Sequence, residues 1–271
     1  MVAFPNCKIN LGLNVLRRRG DGYHDLETLF YPLALRDVLE IVRAESVQFT
    51  ATGLPIPGNP DANLCLKAWR LLKDQFRDIP PVHIHLHKHI PMGAGLGGGS
   101  SDGAHMLSLL NKQFHLQLDI EQLQEHALQL GSDCPFFIVN RPCLGGGRGE
   151  QLQPVELDLS GYDFVLVHPD IHISTAWAFS QVRPAPWPKP VAAILAQPIG
   201  TWTEELVNDF ESPVLEMYPV LRTVKEALYR EGAIYASMTG SGSSFFGIFP
   251  KGTDPDLRLQ QDFQVIRIAG I

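Results

Sequence analysis

Pro91-Met-Gly-Ala-Gly-Leu-Gly-Gly-Gly-Ser-Ser-Asp-Gly-Ala104 decides how the rest of the chain is read. Gly93, Gly95, Gly97, Gly98 and Gly99 lack a Cβ, so the backbone can take positive φ and come close to a ligand. Successive N–H groups in such a loop turn into one concavity and hold an anion. Asp102-Gly-Ala-His-Met-Leu-Ser-Leu-Leu110 continues helically, so the loop feeds a helix N-terminus, where backbone dipoles also favour negative charge. The first reading is a phosphate cradle. Placement between a strand pattern and a helix pattern argues against a plain linker. Gly93-Ala-Gly95-Leu-Gly-Gly98 also satisfies G-x-G-x-x-G, with Asp119 further on as in a dinucleotide-binding unit. The preceding strand speaks against that fold. Val82, Ile84 and Leu86 alternate with His83, His85 and His87, which describes a half-exposed strand and not a doubly covered one. Asp119-Ile-Glu-Gln122 reads instead as an N-cap with its partner. No Lys-Ser or Lys-Thr closes the loop as in a Walker motif.

The chain's 271 residues are enough for one large domain or two ordinary ones. A net charge of −7 without a long basic run argues against nucleic acid or a membrane surface as partner. Cys7, Cys65, Cys134 and Cys143 form no C-x-x-C pair and read as reduced thiols of a cytoplasmic protein. No apolar run is long enough to span a membrane, and Lys8 and Asn10 interrupt any signal-peptide pattern.

Period-two alternation predicts a strand over 7–15, with Lys8 and Asn10 on one face about 7 Å apart. That pair is either solvated or lines a cleft. Arg19-Gly-Asp-Gly22 is a turn, followed by Tyr23 and His24. A tyrosine and a histidine together suit stacking on a ring and bonding to its edge; equally, Tyr23 caps the core and His24 faces water. A strand is expected over 35–42 and a helix over 64–76, with Asp61 or Asn63 as its N-cap. His83, His85, His87 and His89 share a strand face, yet no Cys or carboxylate cluster accompanies them to make a metal site. Lys88 points with Val82, Ile84 and Leu86, beside the glycine loop. Helices follow over 101–114 and 119–130, the second with Ile120, Leu123, Ala127 and Leu130 on one stripe and Gly131 as C-cap. In Gly131-Ser-Asp133-Cys-Pro-Phe-Phe137 the aspartate is a capping residue or a rigidly held general base. A second domain opens with a strand over 161–168. It continues through an irregular connection over 184–198, a helix over 213–229, strands over 234–238 and 244–249, and a last strand over 263–268. The mixture is α+β, with domains expected over 1–153 and 154–271.

Lys8-Ile-Asn10, the 91–101 loop and Met238-Thr-Gly-Ser-Gly-Ser-Ser244 together resemble the three signature motifs of the GHMP small-molecule kinases, in their order and spacing. Asp21-Gly-Tyr-His24, Gly131-Ser-Asp-Cys-Pro-Phe136 and Asn208-Asp-Phe-Glu211 resemble the cytidine-recognising branch of that family. The resemblance implies an N-terminal α/β domain with a left-handed βαβ crossover and a ferredoxin-like C-terminal domain. It implies ATP-dependent phosphorylation of a hydroxyl on a cytidylated methylerythritol, with Mg2+. Lys8 and Asp133 fall on the family's catalytic lysine and aspartate. Asn10 falls where the methylerythritol portion is contacted. Tyr23 and His24 fall at the cytosine, with Phe179 on the other ring face. Pro91, Met92, Gly93, Ala94, Gly95, Leu96, Gly97, Gly98, Gly99, Ser100 and Ser101 would hold the phosphates. Asn63, Leu64 and Lys88 fall near the adenine. No carboxylate set for the metal is legible, and Ser101 is the one candidate ligand. Oligomeric state is not legible either.

Overall fold

The computed structural model describes residues 1–259 and 263–270. In chain order, β1 (Val2–Ala3), β2 (Asn6–Arg18), β3 (His24–Arg36), β4 (Val38–Arg43) and β5 (Gln48–Gly53) precede helix α1 (Leu64–Gln75). Strand β6 (Val82–Lys88) leads into α2 (Gly98–Phe114), α3 (Ile120–Leu130) and α4 (Cys134–Val139), then β7 (Cys143–Gly146), β8 (Gln151–Pro154) and β9 (Tyr162–His168). After these come α5 (Thr175–Gln181), α6 (Val191–Leu195), α7 (Trp202–Glu205), α8 (Glu211–Met217) and α9 (Val220–Arg230), then β10 (Tyr235–Met238), β11 (Phe245–Pro250) and β12 (Gln264–Ile268). The chain forms two compact units. One gathers Met1–Cys7, Leu35–Met92 and Gly97–Arg141; the other gathers Lys8–Ala34, Gly93–Leu96 and the residues from Pro142 on.

The first unit is built on the sheet β1-β4-β6-β5. β4 runs antiparallel to β6, whereas β5 runs parallel to it, so α1 is the crossover of a β-α-β unit. Alternation along β6 holds as expected: Val82, Ile84, Leu86 and Lys88 are buried while the histidines between them are not. The histidines pair with the next strand. The Thr50 hydroxyl lies 2.9 Å from His83 Nε2, and the Thr52 hydroxyl 3.0 Å from His85 Nε2 and 2.9 Å from His87 Nδ1. Asn63 caps α1 by accepting from Cys65 N at 2.9 Å. Asp119 and Gln122 form a reciprocal capping box on α3, the role its sequence suggested. On α3 only part of the expected stripe is inside: Leu123 and Ala127 are buried, but Ile120 is exposed.

Two expected elements are divided. The strand over 35–42 breaks at Asp37, between β3 and β4, because that carboxylate is turned inward to serve other groups. The helix over 213–229 breaks between α8 and α9 at Tyr218, whose φ of −125° and ψ of 74° lie outside the helical region that Pro219 disfavours for the residue before it. Strands β3 and β5 carry no period-two signal. β3 is covered on both faces for much of its length, and β5 is mostly exposed.

The second unit holds two four-stranded sheets, β2-β3-β7-β8 and β10-β11-β9-β12. In the latter, β9, β10, β11 and β12 stand in the order second, third, first, fourth, with antiparallel neighbours. That is the strand order of the ferredoxin-like arrangement, with α5 to α9 filling the first crossover. No helix forms over 251–259, where the second crossover would begin. Phe210, Val214, Leu221, Val224 and Leu228 pack from α8, α9 and the turn before them against Val165, Val167, Phe245 and Phe249 of the sheet. No helix among the described residues is long and apolar enough to cross a membrane.

Candidate active site

The glycine loop has the backbone its sequence asks for. Gly93, Gly95 and Gly97 take φ of 65°, 75° and 70°, a region costly to any residue with a Cβ. Ala94 lies outside that region, so its methyl group is accommodated. Gly97 stands at the N-cap of α2, where no side chain caps the helix. The first N–H groups of a 17-residue helix are thus left without side-chain partners at the end of an open-backboned loop. At Gly95 a Cβ would lie 2.1 Å from the Thr239 carbonyl oxygen, so the loop and the second glycine turn meet backbone to backbone.

Lys8 sits at that meeting place, within the second unit. Its N–H donates to Leu96 O at 3.0 Å. Its ammonium donates to Asn10 Oδ1 at 2.6 Å and to Gly95 O at 3.1 Å. Asn10 donates to the Thr28 hydroxyl at 2.9 Å, which donates in turn to Gly12 O at 2.5 Å. Thr239 Oγ1 accepts from Asn10 N at 3.1 Å and donates to Gly95 O at 3.2 Å. Asn208 fixes the turn from behind, donating to Met238 O at 2.8 Å and to Gly240 O at 2.9 Å. All of these side chains are buried, so Lys8 and Asn10 are not a solvated pair. An ammonium donating to two fixed oxygens keeps one direction.

The aromatic residues gather in the same unit. His24 stacks on Phe179 with ring centroids 4.8 Å apart, and Phe179 meets Phe210 edge-on at 4.8 Å. Burial, helped by the nearby Arg18 charge, lowers the His24 pKa and keeps its ring neutral near pH 7. Tyr23 is exposed, not a cap on the core, and the Arg148 guanidinium lies 4.7 Å from its ring centroid.

Asp133, Asn63, Leu64, Lys88, Pro91, Met92 and the residues from Gly97 to Ser101 belong to the first unit. Asp133 occupies the N-cap position of α4 but makes no side-chain cap hydrogen bond, so the capping role is not the one it fills. Cys134, next to it, accepts a hydrogen bond from Ser100, which ties the start of α4 to the start of α2. Burial pushes the Cys134 thiol up to about 12, against the Ser100 bond. The Asn63 side chain is spent on capping α1, and Leu64 lies against Gly103, where a Cβ would meet Leu64 Cβ at 2.9 Å. Lys88 is buried, and its ammonium is engaged by Asp37 and by Asp102, the latter at 2.8 Å. Ser101 is buried too, with His105 Nδ1 3.3 Å from its hydroxyl. Among the described residues no three His, Cys, Asp or Glu stand close enough to hold a metal.

Several residues of this site had no role legible in the local sequence. Thr239 and Asn208 lie in the family motifs, but like Thr28 they act through hydrogen bonds to residues far along the chain. Arg148 stood out only as the one charged residue inside Gly145-Gly-Gly-Arg-Gly149.

Comparison with known proteins follows the same lines. The GHMP kinases N terminal domain matches residues 63–141 and the GHMP kinases C terminal model matches residues 191–261. The chain is 51% identical over 253 residues to 4-diphosphocytidyl-2-C-methyl-D-erythritol kinase of Bacteroides fragilis, covering 92% of each. It is 50% identical over 250 residues to the kinase of the same name from Cytophaga hutchinsonii, again covering 92% of each. A crystal structure of 4-(cytidine 5′-diphospho)-2C-methyl-D-erythritol kinase superimposes with a TM-score of 0.83 at 33% identity, covering 100% of both chains. On motifs, fold and relatives alike, the chain belongs to the GHMP kinase family.

Proposed function

We propose that this chain is a kinase that transfers the γ-phosphoryl group of ATP to the 2-hydroxyl of 4-diphosphocytidyl-2-C-methyl-D-erythritol, in the non-mevalonate isoprenoid pathway. The observation that carries the donor side is the uncapped N-terminus of α2 behind the positive-φ glycines. A helix start without a capping side chain has N–H groups to offer an anion. Half-identity to relatives named for this reaction supports the acceptor.

Phosphoryl transfer asks the protein mainly for positioning and for charge stabilisation. In this reading the 91–101 backbone holds the β- and γ-phosphates. Lys8, aimed by Asn10 and the Gly95 carbonyl, offsets charge on the transferring group. Asp133 takes the proton as the acceptor oxygen bonds to phosphorus and ADP departs. Asn10 orients the methylerythritol portion, while Tyr23, His24 and Phe179 receive the cytosine. His24 stays neutral, which leaves one ring nitrogen to donate and one to accept. Mg2+ would arrive on the triphosphate and neutralise its charge. The buried thiols Cys7, Cys65, Cys134 and Cys143 suit the cytoplasm.

A coupled assay with ATP, magnesium and the cytidylated substrate tests the whole reading. ADP release that needs the cytidylated alcohol is the expected result. Equal turnover of an alcohol without cytidine refutes the acceptor assignment.

A further inference from the structure

The two ends of the glycine loop are tied to one buried ion group. Lys88 is the last residue of β6, and Asp102 lies in the second turn of α2. Between them runs the loop. The Lys88 ammonium donates to Asp37 Oδ2 and, at 2.8 Å, to Asp102 Oδ2. Side-chain exposures of 0%, 0% and 4% for Lys88, Asp37 and Asp102 leave the group out of contact with water. The other oxygen of Asp37 accepts the backbone N–H of His89 at 2.5 Å and of Ile90 at 2.9 Å, just where the strand gives way to the loop. Asp37 N donates to Pro5 O at 2.8 Å, which anchors the carboxylate's own backbone. On the helix side, a Cβ at Gly98 would lie 3.3 Å from Lys88 Nζ and 2.9 Å from Ile90 Cγ2, so the first helical residue is bare where the ammonium passes.

The resemblance to the family suggested Lys88 as an adenine contact. The surroundings of its side chain favour another role for the ammonium. Two buried carboxylates already engage the ammonium, so its charge is used inside the group that joins β6 to α2. A buried ion group adds little net stability, but it fixes which pieces of backbone lie together. Here the pieces are the strand end, the helix start and the segment at residue 37. A glycine-rich loop has much conformational freedom to lose, and fixing its ends removes part of that loss before a ligand binds.

We propose that Asp37, Lys88 and Asp102 form a clasp that sets the span and pitch of the donor-phosphate loop, and that the Lys88 side chain is a positioning group and not a contact to the nucleotide base. The proposal rests on the reading of 91–101 as the loop that grips ATP.

Calorimetric titration of the wild-type protein with ADP checks that reading by itself. The clasp is tested by D102A and D102N, which leave the Asp37–Lys88 pair one to one. D102A is expected to raise the KM for ATP by about tenfold or more while the KM for the alcohol stays within about threefold. D102N is expected to stay within about threefold on both, because the amide oxygen still accepts from Lys88. K88M should weaken competitive inhibition by inorganic tripolyphosphate, which carries no base, by the same factor as it weakens ATP. A D102A enzyme with wild-type KM for ATP overturns the clasp even where ADP binds the wild type normally. So does a K88M loss confined to ATP, which would restore the base contact. If K88M does not fold, the D102A and D102N pair decides.

Discussion

Gly95→Ala puts one methyl group where the loop and the Thr239–Gly242 turn touch. The added Cβ would stand 2.1 Å from Thr239 O, and 3.3 Å from Gly242 O. The obstacle is backbone, and Asn208 holds that turn by two hydrogen bonds, so it cannot swing aside. The φ of 75° adds a second cost. Left-handed backbone disfavours an L-residue by about 1–2 kcal/mol. Overpacking a tight contact adds about 1–3 kcal/mol. Together these give about 2–5 kcal/mol, a large share of the roughly 5–15 kcal/mol that holds an ordinary fold together. Gly99→Ala is the matched control. Its Cβ would meet only the Met92 Cε at 3.8 Å, and the residue is helical. There the change is neutral or gains up to about 1 kcal/mol from helix propensity. Urea denaturation of both variants without nucleotide is the assay. Equal midpoints would refute the argument, since it rests on contact and φ and not on glycine content.

Further outcomes follow from the same geometry. D133N should lower turnover by about 10²–10⁴-fold, the usual worth of a positioned proton acceptor, while calorimetry finds ADP binding retained; wild-type turnover removes Asp133 from the mechanism. N208A leaves the Met238 and Gly240 carbonyls without their buried donor and should cost about 2–4 kcal/mol in a denaturation experiment. Burial raises the Asp102 pKa, with Lys88 opposing and Asp37 adding to the rise. The fold therefore binds this proton more tightly than the unfolded chain, and its contribution is lost as pH rises from the ordinary carboxylate range toward the folded value. D102N removes that loss, so its stability relative to wild type should grow from pH 6 to pH 9; a constant difference contradicts a raised Asp102 pKa. F179A should raise the KM for the cytidylated substrate and leave that for ATP unchanged, because Phe179 stacks on His24 and belongs to the unit that holds Tyr23.

Much of this site is legible in local patterns. The alternation through Lys8, Asn10 and β6, the capping pair of α3 and the glycine spacing each follow from short-range geometry. What escaped was set by distant partners. Asp37 reads as an ordinary residue in a strand, yet its carboxylate meets Lys88 and the amides of His89 and Ile90 some fifty positions later, and the strand stops to let it. Pro219 was in plain view, but helical periodicity on both sides outweighed it. β3 hid because it is covered on both faces and so has no polar side to alternate with. Lys88 is legible only in part as well: its position placed it beside the loop, and its carboxylate neighbours show how its charge is used.

The missing cap on α2 has a thermodynamic consequence of its own. A helix start that keeps its N–H groups for a ligand goes without about 1 kcal/mol that a serine or aspartate cap would contribute. The ligand returns it by mass action. Nucleotide at a hundred times its dissociation constant adds about 2.7 kcal/mol to the folded state. A melting temperature for this chain is therefore partly a reading of nucleotide concentration, and values taken in different buffers compare only when that concentration is fixed.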